Sequence, residues 1–166
     1  MRLALAGMSL LLFGLPLHAQ GIQLGETRPA ANRGHVLLLS DAVQVDAGKS
    51  QVVDLRFRVD EGFHINSHAP KDELLIPTVL TLDPSHGVKV SDEAYQKGTA
   101  FRLSVGSGGE AGEMLDVYQG EFRVSLRVVV PKGASTLMGS LHYQACDDAA
   151  CFPPKTLPVM IAVTGN

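Results

Sequence analysis

Two cysteines, Cys146 and Cys151, are the residues of this chain whose type and spacing point most directly to covalent chemistry. They are the only cysteines of the sequence, and four residues separate them. A disulfide between them closes a loop of about six residues, which stabilises a fold by roughly 2 kcal/mol, against about 3 kcal/mol for a loop of about 15 residues. A short, exposed and somewhat strained disulfide is the kind that exchanges with other thiols. The spacing therefore fits both a redox-active pair and a structural hairpin disulfide.

The residues around the pair indicate a disulfide that receives electrons from a partner. They do not favour a resting thiolate nucleophile. Asp147 and Asp148 place negative charge beside Cys146, which disfavours its thiolate, and no Lys or Arg lies between the cysteines. The two acids are also ordinary turn residues. Pro153 and Pro154 stiffen the chain just after Cys151. We expect the pair to receive electrons and hand them on inside a docked complex.

Metal and cofactor chemistry has little support in the sequence. His64 and His68 lie close together and His142 precedes Cys146 by four residues, but a structural zinc site needs four ligands in tight local pairs. A blue-copper site needs two histidines and a cysteine, and no histidine follows Cys151. We expect no metal and no cofactor, with His142 an exposed strand residue.

Composition excludes further function classes. The 166 residues carry a net charge of −3 without a basic stripe, which argues against nucleic-acid binding. No Gly-x-Ser-x-Gly elbow supports hydrolase chemistry. The glycine-rich stretch 106–112 lacks the ending of a phosphate-binding loop, and we predict a flexible surface loop there.

The elements that position the cysteines are predicted to be strands. Apolar and polar residues alternate through Val53–Val59 and through Phe122–Val130, as in half-buried strands. The same period places one apolar face on each of two later strands, which carry Leu137, Leu141 and Tyr143, and Leu157, Val159, Ile161 and Val163. Shorter candidates lie at 35–39, 76–82 and 101–105. About seven short strands with turns between them predict an all-β antiparallel sandwich.

The amino-terminal residues have the features of an export signal. Arg2 precedes an apolar run from Leu3 to Leu15, and a plausible cleavage site ends at Ala19. The run is shorter than the roughly 20 residues that span a bilayer. We predict a signal peptide over 1–19 and an irregular lead-in over 20–33. The domain of 34–166 would lie in an oxidising compartment without stable membrane insertion.

Three segments resemble a known family. The segment Tyr143–Pro154 resembles the active-site segment of the N-terminal periplasmic domain of the thiol:disulfide interchange protein DsbD. Asp60–Asn66 resembles the turn before an aromatic strand of that family, and Asp92–Tyr95 resembles its cap loop, which shields the cysteines. The resemblance covers most of the chain after the predicted signal.

The resemblance implies an immunoglobulin-like sandwich, a periplasmic location and protein-disulfide reductase or interchange activity. Cys146 and Cys151 would be the exchanging pair, with Cys151 the more buried sulfur. The implied cap and its supporting residues are Tyr95, Asp92, Glu93, His64, Asn66 and Tyr143. Implied partners are thioredoxin-like redox proteins, including disulfide isomerases and those of cytochrome c maturation, and a membrane electron donor.

The chain departs from the family pattern in three ways. Four residues separate the cysteines instead of five, and Ala94 stands where an aromatic cap residue is expected. The sequence ends at Asn166 without membrane and thioredoxin-like domains, so donor and acceptor are expected to be separate proteins. The alternative function is a non-catalytic immunoglobulin-like binding or assembly module with a structural hairpin disulfide.

Overall fold

The computed structural model describes residues 34–83, 87–102 and 114–166, and within these ranges the regular structure is entirely strand. The predicted signal peptide and lead-in, the glycine-rich loop 106–112 and residues 103–105 lie outside the described residues. The strands are β1 (Val36–Leu38), β2 (Val43–Val45), β3 (Ser50–Val59), β4 (His64–Asn66), β5 (Val79–Asp83), β6 (Lys89–Tyr95), β7 (Thr99–Arg102), β8 (Met114–Tyr118), β9 (Glu121–Val129), β10 (Gly133–Tyr143), β11 (Ala145–Cys146) and β12 (Lys155–Gly165).

Two long strands form the centre of the first sheet, whose order is β1-β3-β9-β6. Strands β3 and β9 pair antiparallel, with Leu55 opposite Val124. Their inward residues are buried and their outward residues are exposed, as the period of two requires. The predicted strands at Val53–Val59 and Phe122–Val130 are confirmed.

The second sheet has the order β2-β12-β10-β5. Strands β10 and β12 pair antiparallel along their whole lengths, with Leu137 opposite Ile161. Gly139 lies where β5 approaches closely, since a Cβ at this position would collide with the Thr81 carbonyl. The one departure from the antiparallel pattern among the described strand pairs is β2, which runs parallel to β12.

The apolar faces of these two sheets form one core. Leu55, Phe57 and Leu126 from the first sheet and Leu141 and Ile161 from the second are all at most 2% exposed and belong to a single buried cluster. Two faces that bury alternate residues against each other make a β-sandwich. The prediction of an all-β, immunoglobulin-like sandwich is confirmed.

A third sheet, with the order β11-β4-β8-β7, carries the first cysteine. Its strands are two to five residues long, and β4 is buried at every position. A tight turn precedes β4, and Gly62 in that turn has a φ of 81°, a conformation that favours glycine. Of its strands only β7 overlaps a predicted one, the candidate at 101–105, because strands this short show little alternation. Over the described residues, no helix has the length and apolar character needed to cross a bilayer.

Candidate functional site: a hairpin disulfide beside a buried histidine

The cysteine pair closes a tight hairpin at the end of β11. Cys146 and Cys151 are disulfide-bonded, and their Cα atoms are 4.0 Å apart. The Asp147 amide donates to the Ala150 carbonyl at 3.0 Å, and the Phe152 amide donates to the carbonyl before Cys146 at 2.9 Å. These two bonds flank the cysteines, which therefore form a non-hydrogen-bonded pair, the closer type of antiparallel pair at about 4.5 Å. The hairpin itself brings the sulfurs together.

The first acid of the loop is a turn residue. Asp147 Oδ1 accepts hydrogen bonds from the Ala149 amide at 2.8 Å and from the Ala150 amide at 2.7 Å. These amide donors lower the pKa of the Asp147 carboxyl. Asp148 is exposed at the tip of the loop. The acidic pair thus shapes the turn as well as placing negative charge beside the disulfide.

The two cysteines differ in exposure, and the order implied by the resemblance is wrong. Cys146 is 3% exposed, whereas Cys151 is exposed. The reason is strand pairing, because β11 is covered by β4 and Cys146 lies opposite His64. Cys151 stands on the outer return of the hairpin. Of the two cysteine residues, Cys151 is therefore the one that solvent reaches.

His64 is the titratable side chain that the fold places beside the buried cysteine. Its residue is 2% exposed, and its ring lies 4.4 Å from that of Phe101. Its Nε2 is buried without a hydrogen-bond partner among the described residues. Burial lowers the pKa of His64, although the carboxylates of Asp148 and Asp147 act in the opposite direction. The imidazole is consequently held neutral next to the disulfide.

Asn66 holds the strand that carries His64. It is 1% exposed, its Nδ2 donates to the Ile76 carbonyl at 3.0 Å, and its own carbonyl accepts from Thr78 Oγ1 at 2.6 Å. The side-chain amide nitrogen and the backbone carbonyl of Asn66 are therefore both hydrogen-bonded to the segment before β5. These contacts fix the position of β4.

Tyr143 belongs to the core of the sandwich. It is 1% exposed at the end of β10, it hydrogen-bonds with the Val36 backbone, and burial raises its pKa. It anchors β1 against the strand that leads into the cysteine hairpin.

The segment predicted to be a cap loop is a strand, so the expected loop was wrong, whereas its role as a cap over the cysteines stays a prediction. Asp92 and Glu93 lie in β6, at the edge of the first sheet, where Asp92 is opposite Arg127 and Glu93 is opposite Leu126. Both acids are exposed. The cysteine hairpin belongs to the third sheet, so the structure does not place these residues and the disulfide in one sheet.

Tyr95 ends the same strand and contacts a different part of the molecule. Its hydroxyl accepts from the Leu80 amide at 2.8 Å and donates to Glu93 at 3.2 Å, and its ring stacks on His68 at 3.6 Å. Burial raises the pKa of Tyr95 to about 12. Its contacts link β6 to β5 and to the chain after β4. A shielding role of this tyrosine stays a prediction.

An aromatic cluster beside the exposed cysteine was missed by the sequence analysis. Phe152 follows Cys151 and is 37% exposed. The centre of its ring lies 5.8 Å from that of Phe63 and 5.5 Å from that of His35. The rings of His35 and Phe63 stack at 3.6 Å. The only sequence signal was the position of Phe152 next to a cysteine, because the other two rings come from the residue before β1 and from the turn before β4.

The other two histidines considered as metal ligands, His68 and His142, contact different residues. His68 stacks on Tyr95, and its Nδ1 lies 3.0 Å from the Thr78 carbonyl, whereas His142 is an exposed residue of β10, as predicted. In the part of the chain that the structure describes, no group of three or more His, Cys, Asp or Glu residues is placed to hold a metal ion.

The fold and the site define a class of protein: an immunoglobulin-like domain with a hairpin disulfide that has one exposed cysteine. The chain belongs to the DsbD N-terminal domain family, since the family model described as "Thiol:disulfide interchange protein DsbD, N-terminal" matches residues 35–161. The family identified from the three segments is thereby confirmed.

Two solved structures are similar to the chain at low identity. The reduced DsbD N-terminal domain of Neisseria meningitidis is 21% identical, with 72% of this chain and 82% of that chain covered and a TM-score of 0.44. The ASH/PapD-like domain 7 of human CEP192 is 12% identical over 97% of this chain and 98% of that chain, with a TM-score of 0.35. Comparison with curated proteins finds no match.

Proposed function

We propose that this protein is a periplasmic thiol–disulfide exchange module that relays reducing equivalents through Cys146 and Cys151. The observation that carries the proposal is the exposed Cys151, bonded to the buried Cys146 within a chain of the DsbD N-terminal family. A bond with one accessible sulfur and a short loop is open to attack by a partner thiolate. A disulfide that served stability alone would add little to the free energy of unfolding when it closes so short a loop.

Reduction of the pair proceeds in two exchange steps. A partner thiolate attacks the sulfur of Cys151, which forms a partner–Cys151 disulfide and releases Cys146 as a thiolate that takes up a proton. The partner's second thiolate then attacks the partner sulfur of this mixed disulfide, and Cys151 leaves. The partner is oxidised to a disulfide, and the two electrons now reside on the Cys146 and Cys151 thiols. Delivery to an acceptor is the same sequence reversed.

The partners we propose are thioredoxin-like redox proteins, with electrons supplied by a membrane protein. Family membership supports this assignment. The surface beside Cys151 also fits a protein partner, since Phe152 exposes an aromatic ring there and the loop presents Asp148. An apolar contact next to the reacting sulfur, rimmed by charge, is typical of protein interfaces.

Export is part of the proposal. Residues 1–19 act as a cleaved signal peptide, with the cut near Ala19. The periplasm supplies the oxidising conditions in which an unreduced pair persists.

Trapping of the mixed disulfide tests the proposal. Cys146→Ser leaves the exposed Cys151 thiol, and its matched counterpart Cys151→Ser leaves the buried Cys146 thiol. We expect Cys146→Ser to form a mixed disulfide with an oxidised thioredoxin-like domain at least about tenfold faster than Cys151→Ser, because access governs exchange. Non-reducing electrophoresis and mass spectrometry read out the adduct. Absence of adducts with either variant, with the fold intact, would favour a structural hairpin disulfide.

A further inference from the structure

The buried imidazole of His64 lies opposite Cys146 and has a ring nitrogen without a hydrogen-bond partner among the described residues. The two residues are directly opposite in the antiparallel pair of β4 and β11. Directly opposed residues project from the same face, with Cβ atoms about 5 Å apart. Both residues are at most 3% exposed, so little water reaches the space between them.

The unpartnered nitrogen of His64 is unusual in this molecule. The other buried polar side chains of the described residues, Asn66, Ser67 and Thr78, all make hydrogen bonds, whereas Nε2 of His64 makes none with the described residues. A buried polar atom without a partner costs stability and calls for an explanation. A thiol that is present only in the reduced state supplies one.

Cys146 needs a proton acceptor during the proposed exchange. Burial disfavours a thiolate, and the nearby carboxylates of Asp147 and Asp148 disfavour it further. No Lys or Arg lies between the cysteines to offset this charge. A neutral imidazole beside the sulfur is the base best suited to neutral pH.

We propose that His64 is the acid–base partner of Cys146, accepting the Cys146 proton when this cysteine resolves the mixed disulfide. The inference rests on the proposed exchange function and assigns the proton transfer within it. Cys151 first forms a disulfide with the acceptor protein. The proton of the Cys146 thiol then passes to Nε2 of His64, the Cys146 thiolate attacks Cys151, and the acceptor's sulfur leaves as a thiolate. The acceptor is reduced by two electrons, the cysteine pair is oxidised, and the imidazolium returns its proton to the leaving thiolate or to water.

The electrostatic surroundings of His64 suit this cycle. The carboxylates of Asp147 and Asp148 act on it from the hairpin loop, and the uncharged ring of Phe101 packs on it from β7. Burial keeps the imidazole neutral while the disulfide is intact. Formation of a thiolate on Cys146 adds a negative charge beside the ring, which raises the affinity of His64 for a proton at that step.

The test separates the two exchange steps in single-turnover reactions of the full protein, reduced beforehand to the dithiol form, with an oxidised thioredoxin-like domain. His64→Phe keeps an aromatic ring and removes the nitrogens, and His142→Gln is the control on an exposed strand position. We expect His64→Phe to slow the collapse of the mixed disulfide by about tenfold to a hundredfold. The first step, attack by Cys151, should change by less than about twofold, because that sulfur lies on the exposed side of the hairpin. The control should leave both steps unchanged.

The pH profile distinguishes a proton acceptor from a packing residue. The wild-type collapse rate should fall as the pH drops through the lowered pKa of His64, because imidazolium cannot accept a proton. This acid-side fall of the rate should be absent in His64→Phe. In that variant the rate of mixed-disulfide collapse should depend on the ionisation of Cys146 alone. Equal collapse rates and identical profiles in the two proteins would overturn the inference while leaving the exchange function intact.

A second measurement needs no variant and no partner. NMR titration of the His64 ring should give a lower pKa in the chemically reduced protein than in the oxidised protein, because the Cys146 thiol donates a hydrogen bond to Nε2 of the neutral imidazole. An identical pKa in both states would overturn the inference, whether or not His64→Phe folds. Lack of transfer by the wild-type protein, in contrast, would overturn the proposed function and not this coupling.

Discussion

The sandwich core and the small third sheet bury different kinds of side chain. The centre of the sandwich is apolar, with residues such as Leu55, Phe57 and Leu126 fully buried. The third sheet and its borders instead hold the buried polar side chains of the described residues, which are His64, Asn66, Ser67 and Thr78. Both regions bury apolar side chains, including Ile65 and Val117 of the third sheet, but among the described residues the second region must also satisfy buried polar groups one by one.

This difference indicates how the fold divides its work. The long alternating strands of the sandwich stabilise the domain through apolar side chains that take no part in chemistry. They support the short third sheet, whose strands would not be stable in isolation. The short sheet covers one cysteine, leaves the other exposed and places a histidine opposite the covered one. Stability and chemistry should consequently respond to different substitutions.

The largest expected effect is a loss of stability on truncating the sandwich core. Leu126→Ala removes a fully buried side chain of β9 and should lower the free energy of unfolding by about 2–5 kcal/mol, because it leaves a cavity between two sheets. The control Val52→Ala, at a 56% exposed position on neighbouring β3, should cost less than about 1 kcal/mol. Urea unfolding measures both. A change in the oxidised-to-reduced ratio of folded Leu126→Ala at fixed redox buffer would break the proposed separation.

A smaller effect is expected from removing one polar contact under the third sheet. Thr78→Val keeps the shape of a side chain that is 0% exposed but leaves the Asn66 carbonyl without its 2.6 Å donor, and should cost about 1–3 kcal/mol. The exposed Thr156→Val on β12 is the matched control. Amide hydrogen exchange should rise in β4 and its neighbours more than in β3 and β9. Uniform acceleration over all these strands would show that the two regions open together.

The smallest effect concerns the turn between the cysteines. Asp147→Ala removes the acceptor of the Ala149 and Ala150 amides and should lower the melting temperature by a few °C at pH 7. Since the folded pKa of Asp147 lies below its ordinary 3.8, this contribution is present above that value and disappears as the pH falls through the folded pKa. The gap between wild type and variant should therefore close in acid. Asp148→Ala, which removes the neighbouring exposed carboxylate, is the matched control at pH 7; an equal loss in both variants would mean that net charge, and not the turn, is responsible.

The sequence predicted the sandwich because its long strands carry a clear signal. Strands β3, β9 and β12 are nine or more residues long and each buries every second residue over seven positions, so their pattern is visible without any knowledge of partners. Strand β6 has the burial of an edge, with five of its seven residues exposed, and its Asp-Glu pair reads as a loop. The loop was expected from the resemblance of Asp92–Tyr95 to the family's cap loop, and the burial pattern of β6 carries no alternation that would have indicated a strand instead.

The chemistry of the site was predicted less completely than its location. The two cysteines were found from their spacing, but which of them is buried depends on the pairing of two-residue β11 with β4. His64 was assigned to a supporting position, and its place opposite Cys146 comes from tertiary register that a single sequence does not display. The same applies to the stack of His35 on Phe63 beside Phe152.

The reduction potential of the Cys146–Cys151 bond tests the central claim most directly. The mature protein would be equilibrated with glutathione and dithiothreitol buffers, and the oxidised fraction measured by mass spectrometry after thiol alkylation. We predict a value between about −270 and −120 mV, the range of thioredoxin and the periplasmic oxidants, because one sulfur is exposed and the loop is short. A value below about −300 mV would identify a structural disulfide and contradict the exchange function.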